Sequence, residues 1–465
     1  MSNLEAYLDQ HGPRFEEELC QLLRIPSIST DGQHTAELGQ ACDWLVDQFR
    51  QLGLQAERIE TEGPPLAFAQ SPPVPGKPIV LVYGHYDVQP ADFREDDPPD
   101  KRWQSPPFQP TRRNGNIYSR GATDDKGQML THIKSAEAVL RTEGRLPVQL
   151  KFLIEGEEEV GSHALHAFLQ RHADRLACDV AVISDTSQFA PGQPAITCGL
   201  RGIAYFELEV RGPNRDLHSG SFGGSLTNPA NALCRILTAL VDDQGRIQVP
   251  GFYEDVQPIP ADELRQWLEL DFDESRYLQQ LGVTALAGEA GYGTLARRWA
   301  RPTFDVSGLT SGYQQAGAKT VIPAWARAKF SFRLVPRQDP AAIAARLREY
   351  LAAVCPPGVT IELTDLHGAP GVMVPPDSPY MAAAARAIER GFGRAPVWIR
   401  EGGSIPVVTA FRQRLKVDTL LLGWGQEDDN PHGPNEKFSL ADFHRGIRAS
   451  AYLWHELSAV VPPAA

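Results

Sequence analysis

Between residues 78 and 88 the chain reads PIVLVYGHYDV, an apolar run that turns polar at its end. This is the pattern of a buried strand that delivers polar side chains at its carboxyl end. VQLKFLIEGEEEVGS (148–162) and CDVAVISD (178–185) repeat it, and both finish in acids. Helical spacing lies between them: Met129, Ile133, Ala136 and Leu140 recur on one face of 126–141, and 163–176 has the same character. Upstream, CDWLVDQFRQLGL (42–54) predicts an amphipathic helix stopped by Gly53. Strands alternating with helices predict an α/β fold, with a central, mostly parallel sheet flanked by helices.

Near residue 199 the texture changes. GLRGIAYFELEVRG (199–212) alternates through Ile203, Tyr205, Glu207 and Glu209, which suits a half-exposed antiparallel strand. A helix is predicted over 228–243, a strand over 326–336, a helix over 341–354 and a strand over 359–366, whereas 245–320 reads as irregular and rich in Gly, Pro and aromatics. This group predicts a separate α+β domain. After the Pro-rich hinge VPPDSP (374–379) come a helix (380–391), a strand (419–425) and an amphipathic helix (439–457) that return to the first sheet. The expected organisation is a first domain of 1–198 and 379–465, interrupted by an inserted domain of 199–378. Residues 91–111, rich in Pro and Asp, read as a surface loop.

Composition narrows the possible functions. The chain has 465 residues, 45 Lys and Arg against 58 Asp and Glu, and a net charge of −13. Such an excess disfavours nucleic acid or an anionic membrane as partner, because both require a basic face. At 42% hydrophobic and 22% charged, the chain can bury a large core and is not a disordered polymer. No repeat of solenoid length is visible. No apolar stretch approaches the roughly 18 residues of a membrane span, and the polar, acidic start is unlike a secretory signal. The six cysteines are scattered and form no CxxC, which excludes a thiolate zinc knuckle. The expected setting is cytoplasmic, with reduced thiols.

The candidate chemistry sits where the strands end, the usual place for ligands in α/β sheets. His85 and Asp87 face the same side of a strand, as a metal-binding imidazole and the acid that orients it would; a surface strand end is the plain alternative. Asp124 and Asp125 open a helix, either as cap and first-turn acid or as cation ligands. Glu157, Glu158 and Glu159 repel one another, so this is either a solvated turn or a site where cations neutralise charge and one glutamate serves as a base. Asp185 and His432 add one ligand type each. Together, two histidines and several carboxylates suit a pair of divalent cations, zinc or manganese, which need a bridging carboxylate and share one water.

Taken in order, YGHYDVQPA (83–91), RGATDDKGQ (120–128), EGEEEVGS (155–162), ISD (183–185), GLRGIAYFELEV (199–210), NRDLHSGSFGG (214–224), TVIPAWARAKFSFRLVP (320–336), EGGSIPV (401–407) and PHGPNEK (431–437) carry a resemblance over nearly the whole chain. The sequence resembles the dinuclear metallopeptidase family of carnosinase-type dipeptidases, glutamate carboxypeptidase and succinyl-diaminopimelate desuccinylase, nearest the cytosolic non-specific dipeptidase and carnosine dipeptidase branch. The resemblance implies that His85 and Asp185 hold one metal ion, Glu159 and His432 the other, and that Asp124 bridges them. It implies that Asp87 orients His85 and that Glu158 is the general base, with Glu157 left over. An extra carboxylate there either raises the proton affinity of the base or points to solvent.

The resemblance further implies that the inserted domain is a lid that forms a homodimer. His218 would reach across to the partner's site and stabilise the oxyanion. Arg333 and Thr320 would bind the carboxylate and backbone of a small peptide substrate, and Ser404 would contribute from the first domain. Arg333 also stands out by itself, because a guanidinium among Phe330, Phe332 and Leu334 calls for an anionic partner. The implied activity is hydrolysis of dipeptides with a free C-terminal carboxylate. The alternatives are deacylation of N-acyl amino acids at the same site and a binding protein without catalysis, against which the intact base, bridge and histidines argue.

Overall fold

The computed structural model describes residues 2–91, 98, 102–403 and 405–461, so the predicted loop at 91–111 lies partly outside the described residues. Two compact units emerge. The first comprises Met1–Cys198, Val374–Ile399 and Pro406–Ala465; the second comprises Gly199–Met373 and Arg400–Ile405.

The sheet of the first unit runs, from one edge, Gln55–Ile59, Leu66–Gln70, Gln149–Glu155, Ile79–His85, Val180–Ile183, Thr419–Gly423 and Ala195–Leu200. Its middle is parallel: Ile79–His85 lies between Gln149–Glu155 and Val180–Ile183, and the latter is parallel to Thr419–Gly423. Both flanks are antiparallel. The architecture is α/β as expected, but the sheet is mixed, with parallel pairing confined to its centre. Gln55–Ile59 and Leu66–Gln70 carried no long apolar run and escaped the sequence pattern.

Alternate residues of the central strands feed two cores, because side chains alternate between faces. Val80, Val82, Leu150, Phe152, Ile154, Val180 and Val182 join one cluster with residues of helices Ser2–Leu23, Thr35–Gln51, Lys126–Glu143, Pro379–Phe392 and Leu440–Ser458. Leu81, Tyr83, Leu153 and Ile183 are equally buried outside that cluster, and Tyr83 meets Phe411 of helix Pro406–Arg414 edge-on at 5.7 Å. Burial on both faces explains the unbroken apolar runs. It also leaves the carboxyl ends of the parallel strands as the place where polar side chains collect.

The second unit has an antiparallel sheet ordered Thr303–Ser311, Trp325–Leu334, Gly202–Arg211, Thr360–Ala369. Phe206, Leu208, Phe330 and Phe332 on one face join a core with Leu233 and Leu347 of helices Pro229–Ala239 and Pro340–Val354. Both helices start with proline after a capping residue: Asn228 accepts the Ala230 N–H at 2.9 Å and Asp339 the Ala341 N–H at 2.9 Å. The stretch 245–320, read as irregular, holds three short helices (Ala261–Glu269, Glu274–Leu281, Thr294–Ala300) and the edge strand Thr303–Ser311. They are too short or too exposed to show a clear period. Residues 400–405 group with this unit and 374–378 with the first, whereas the sequence pattern placed the return at 379. Arg400 pairs with Glu263 through two bonds, and Arg201 donates to the Gly402 carbonyl at 3.2 Å.

Candidate metal centre

His85 closes its strand and is fully buried. Its Nδ1 lies 3.3 Å from Asp87 Oδ1 and 3.1 Å from the Asp87 carbonyl. Both partners are acceptors, so in the neutral ring the proton sits on Nδ1 and Nε2 presents a lone pair. Nε2 is buried without a hydrogen-bond partner and lies 3.2 Å from Asp124 Oδ1. Asp124 Oδ2 lies 2.9 Å from His432 Nε2, which is also 3.3 Å from Glu159 Oε2. Two groups result, His85–Asp124–Asp185 and Asp124–Glu159–His432, each with ligand atoms within 4.8 Å of one another. Asp124 belongs to both. The site grades from buried His85 to exposed His432.

The donor set fits a pair of divalent cations. An orphaned imidazole nitrogen faces a carboxylate that a second imidazole shares, and all donors are nitrogen or oxygen. The electrostatics point the same way. Burial, then the charges of Asp124 and Asp125, pushes the Asp185 carboxyl well above its ordinary range. Burial acts first on Glu158 too, and with Glu159, Asp124 and Asp87 it raises that group to about 7 against the pull of His85. Hydrogen bonds to Asp124 and Glu159 lift His432 to about 10. Burial would raise Asp124, yet His432 and His85 hold it below the usual carboxylate range. Carboxyls raised by burial and by one another, beside histidines raised by carboxylates, mark a site that added cationic charge would stabilise.

Local structure explains how the side chains are held. Asp87 also accepts the N–H groups of Glu158 and Glu159, each at 3.2 Å, and so anchors the single 3-10 turn that carries them. Gln89 donates to Glu159 Oε2 at 2.8 Å. Beneath the turn, Glu155 accepts the Tyr83 hydroxyl at 2.6 Å and the Ser162 hydroxyl at 2.9 Å. Gly161 takes φ +101°, a left-handed angle that favours glycine, whereas Gly156 is needed for space: a Cβ there would lie 2.3 Å from the Tyr86 ring. Glu157 turns away and accepts the Ala164 N–H at 2.7 Å, satisfying a donor in the first turn of helix His163–His172. Asp125 does not cap its helix; it accepts the His85 N–H at 3.2 Å.

Sequence reasoning left other residues of the site unassigned. Glu436 and Arg120 hold the Asp124 and His432 loops. Gln128 donates to the Thr123 carbonyl at 3.0 Å and accepts the N–H groups of Trp424 at 2.7 Å and Gly425 at 3.1 Å. Glu436 and Arg120 stand inside motifs that were visible; only the fold reveals what they touch.

The remaining candidates belong to the second unit. His218 is exposed and pairs with Val321 in a two-stranded ribbon, and Ser219 N–H donates to the Thr320 carbonyl at 3.1 Å, so His218 and Thr320 are neighbours. His218 Nδ1 accepts the Gly220 N–H at 3.0 Å, leaving Nε2 as the donor of the neutral ring. Arg333 sits on strand Trp325–Leu334 opposite Ile203 and Thr303, half-buried rather than buried as the apolar run suggested. Burial pulls its pKa down, and Asp305 opposes this. Ser404 lies outside the described residues.

The profile of Peptidase family M20/M25/M40 matches residues 81–456. The Cys-Gly metallodipeptidase of Schizosaccharomyces pombe is 33% identical, over 99% of both chains. The human Beta-Ala-His dipeptidase is 33% identical, over 97% of this chain and 92% of its own. Among solved structures, human carnosine dipeptidase 1 superposes with a TM-score of 0.86 at 32% identity, covering 99% of both chains. An M20 family metallo-carboxypeptidase from Sulfolobus solfataricus gives 0.85 at 30% identity, covering 96% of this chain and 99% of its own. Strand ends that gather two linked ligand groups and a match spanning most of the sequence agree: this chain belongs to peptidase family M20/M25/M40.

Proposed function

We propose that this protein hydrolyses the amide bond of dipeptides with a free C-terminal carboxylate, using two divalent cations, zinc or manganese. The observation that carries the reading is Asp124, shared by two ligand groups with Glu158 beside them. The names of the relatives, Cys-Gly and Beta-Ala-His dipeptidases, supply the substrate class. His85 and Asp185 would hold one cation, Glu159 and His432 the other, and Asp124 both. When bound, such cations supply Lewis acidity, polarising the scissile carbonyl and making a water more acidic.

The chain's own residues do the rest. Asp87 keeps His85 in the Nδ1–H form. Glu158 takes a proton from the attacking water as the new C–O bond forms, then gives it to the departing amine as the C–N bond breaks. His218 of the partner subunit donates its Nε2 proton towards the developing oxyanion. Arg333 receives the substrate carboxylate, and Thr320 and Ser404 hold its backbone. The second unit acts in this reading as a lid through which two copies of the chain associate. The setting is the cytoplasm, in keeping with six cysteines scattered along the sequence without a CxxC motif; among the described residues no helix is long and apolar enough to cross a membrane.

The test is a panel of dipeptides, tripeptides and N-acetyl amino acids assayed with zinc, manganese and cobalt. The reading predicts turnover of dipeptides and its loss when their C-terminal carboxylate is amidated. Preferred turnover of N-acetyl amino acids would replace it with deacylation.

A further inference from the structure

Asp124 and His432 stand on loops far apart in sequence, and one buried carboxylate ties the two together. Glu436 follows His432 by one short turn and is fully buried. Its Oε1 accepts the N–H groups of Thr123 at 3.0 Å and Asp124 at 3.2 Å. Its Oε2 accepts the Gly121 N–H at 3.0 Å and Arg120 Nη1 at 2.7 Å. The other arm of Arg120, Nη2, donates to the His432 carbonyl at 3.0 Å and the Pro90 carbonyl at 3.1 Å. Arg120 is itself 2% exposed. Neither residue belongs to the ligand groups.

The arrangement has a counterpart. Asp87 fixes the loop of Glu158 and Glu159 by accepting two of its N–H groups, while touching His85. Glu436 fixes the loop of Asp124 in the same manner and reaches His432 through Arg120. A planar guanidinium bound at both ends transmits position with little slack. We propose that Glu436 and Arg120 form a positioning pair that sets the spacing of Asp124 and His432, and with it the cation pocket that Glu159 completes. This rests on the reading of Asp124 as a ligand shared by two cations. Asp124 enters both pockets but His432 only one, and His85 of the other pocket is held by Asp87, so loss of Glu436 should fall unevenly on the two sites.

The experiment is a zinc titration of purified full-length protein against a chromophoric chelator, for the wild type, Glu436→Gln and Arg120→Lys. Thermal unfolding of the chelator-treated proteins runs alongside. Partners of metal ligands typically contribute about 10–100-fold in affinity. Glu436→Gln is expected to weaken one of two binding steps by about that factor and the other by less. Arg120→Lys should weaken the same step, and it decides the matter if Glu436→Gln does not fold. A lowered melting temperature with both zinc steps unchanged would make the pair merely structural and overturn the proposal alone. A wild type that binds fewer than two zinc ions would overturn the dinuclear reading and the proposal together.

Discussion

The two units hold their polar residues in opposite ways. In the first, His85, Asp87, Asp125, Glu155 and Glu436 are fully buried, and each is bonded to a ligand loop or to the strand below it. In the second, His218 lies on a two-stranded ribbon with Thr320 just before its other strand, and both are exposed. Burying several carboxylates together is costly unless something cationic compensates. The first unit is therefore built around charge it does not itself contain, whereas the second offers donors at a surface to whatever arrives. In the proposed function the contrast would separate residues organised before substrate comes from residues that meet it.

The sharpest way to break this contrast is Glu158→Ala. Loss of a general base costs about 10²–10⁴-fold in kcat, and zinc content should remain that of the wild type because Glu158 lies outside both ligand groups. Near-normal turnover would remove Glu158 from its role. His218→Ala should cost about 10²–10³-fold in kcat, the typical loss for an oxyanion donor, with no change in zinc content. Mixing His218→Ala with Glu158→Ala chains should restore part of the activity through heterodimers. No recovery would count against a histidine acting across subunits.

Acidity tests the charge argument. Glu158 is raised to about 7 and Glu155 to about 8, both chiefly by burial. An acid with a raised folded pKa holds its proton longer in the folded state, so stability falls as pH rises from the unfolded value through the folded one. His85 and His432, raised by their carboxylate partners against the pull of burial on His85, act in the same direction. Asp124, lowered, loses its contribution only under strong acid. Chelator-treated protein should therefore melt at progressively lower temperature from about pH 5 to 8, and zinc should raise the melting temperature more at pH 8 than at pH 6. A flat profile would show that burial does not raise these acids. The smallest effect belongs to the second unit: Asp339→Ala removes a helix cap and should cost about 1 kcal/mol in chemical denaturation, leaving zinc binding untouched.

How much was legible follows from the range of each signal. The buried strands and their acidic ends could be read because an apolar run and the acid after it are neighbours in sequence. The gathering of Asp124 with His432 came only from the family resemblance and from no local pattern, since the bonds that hold it join residues more than 300 positions apart, as between Glu436 and Asp124. The bond of Glu157 was hidden for a similar reason: its partner is the start of the next helix, which a count of like charges does not show. The edge strand Thr303–Ser311 is mostly exposed, so it carries little of the alternation that betrays a half-buried strand. What sequence conveys least well is which polar residue supports which.

Zinc stoichiometry of the wild type and Asp124→Ala tests the central claim most directly, because Asp124 is the one residue common to both ligand groups. Mass-spectrometric metal analysis after dialysis should find two zinc ions per wild-type chain, with Asp124→Ala losing affinity at both positions while Asp185→Ala loses it mainly at one. Two tightly held zinc ions in folded Asp124→Ala would contradict the account.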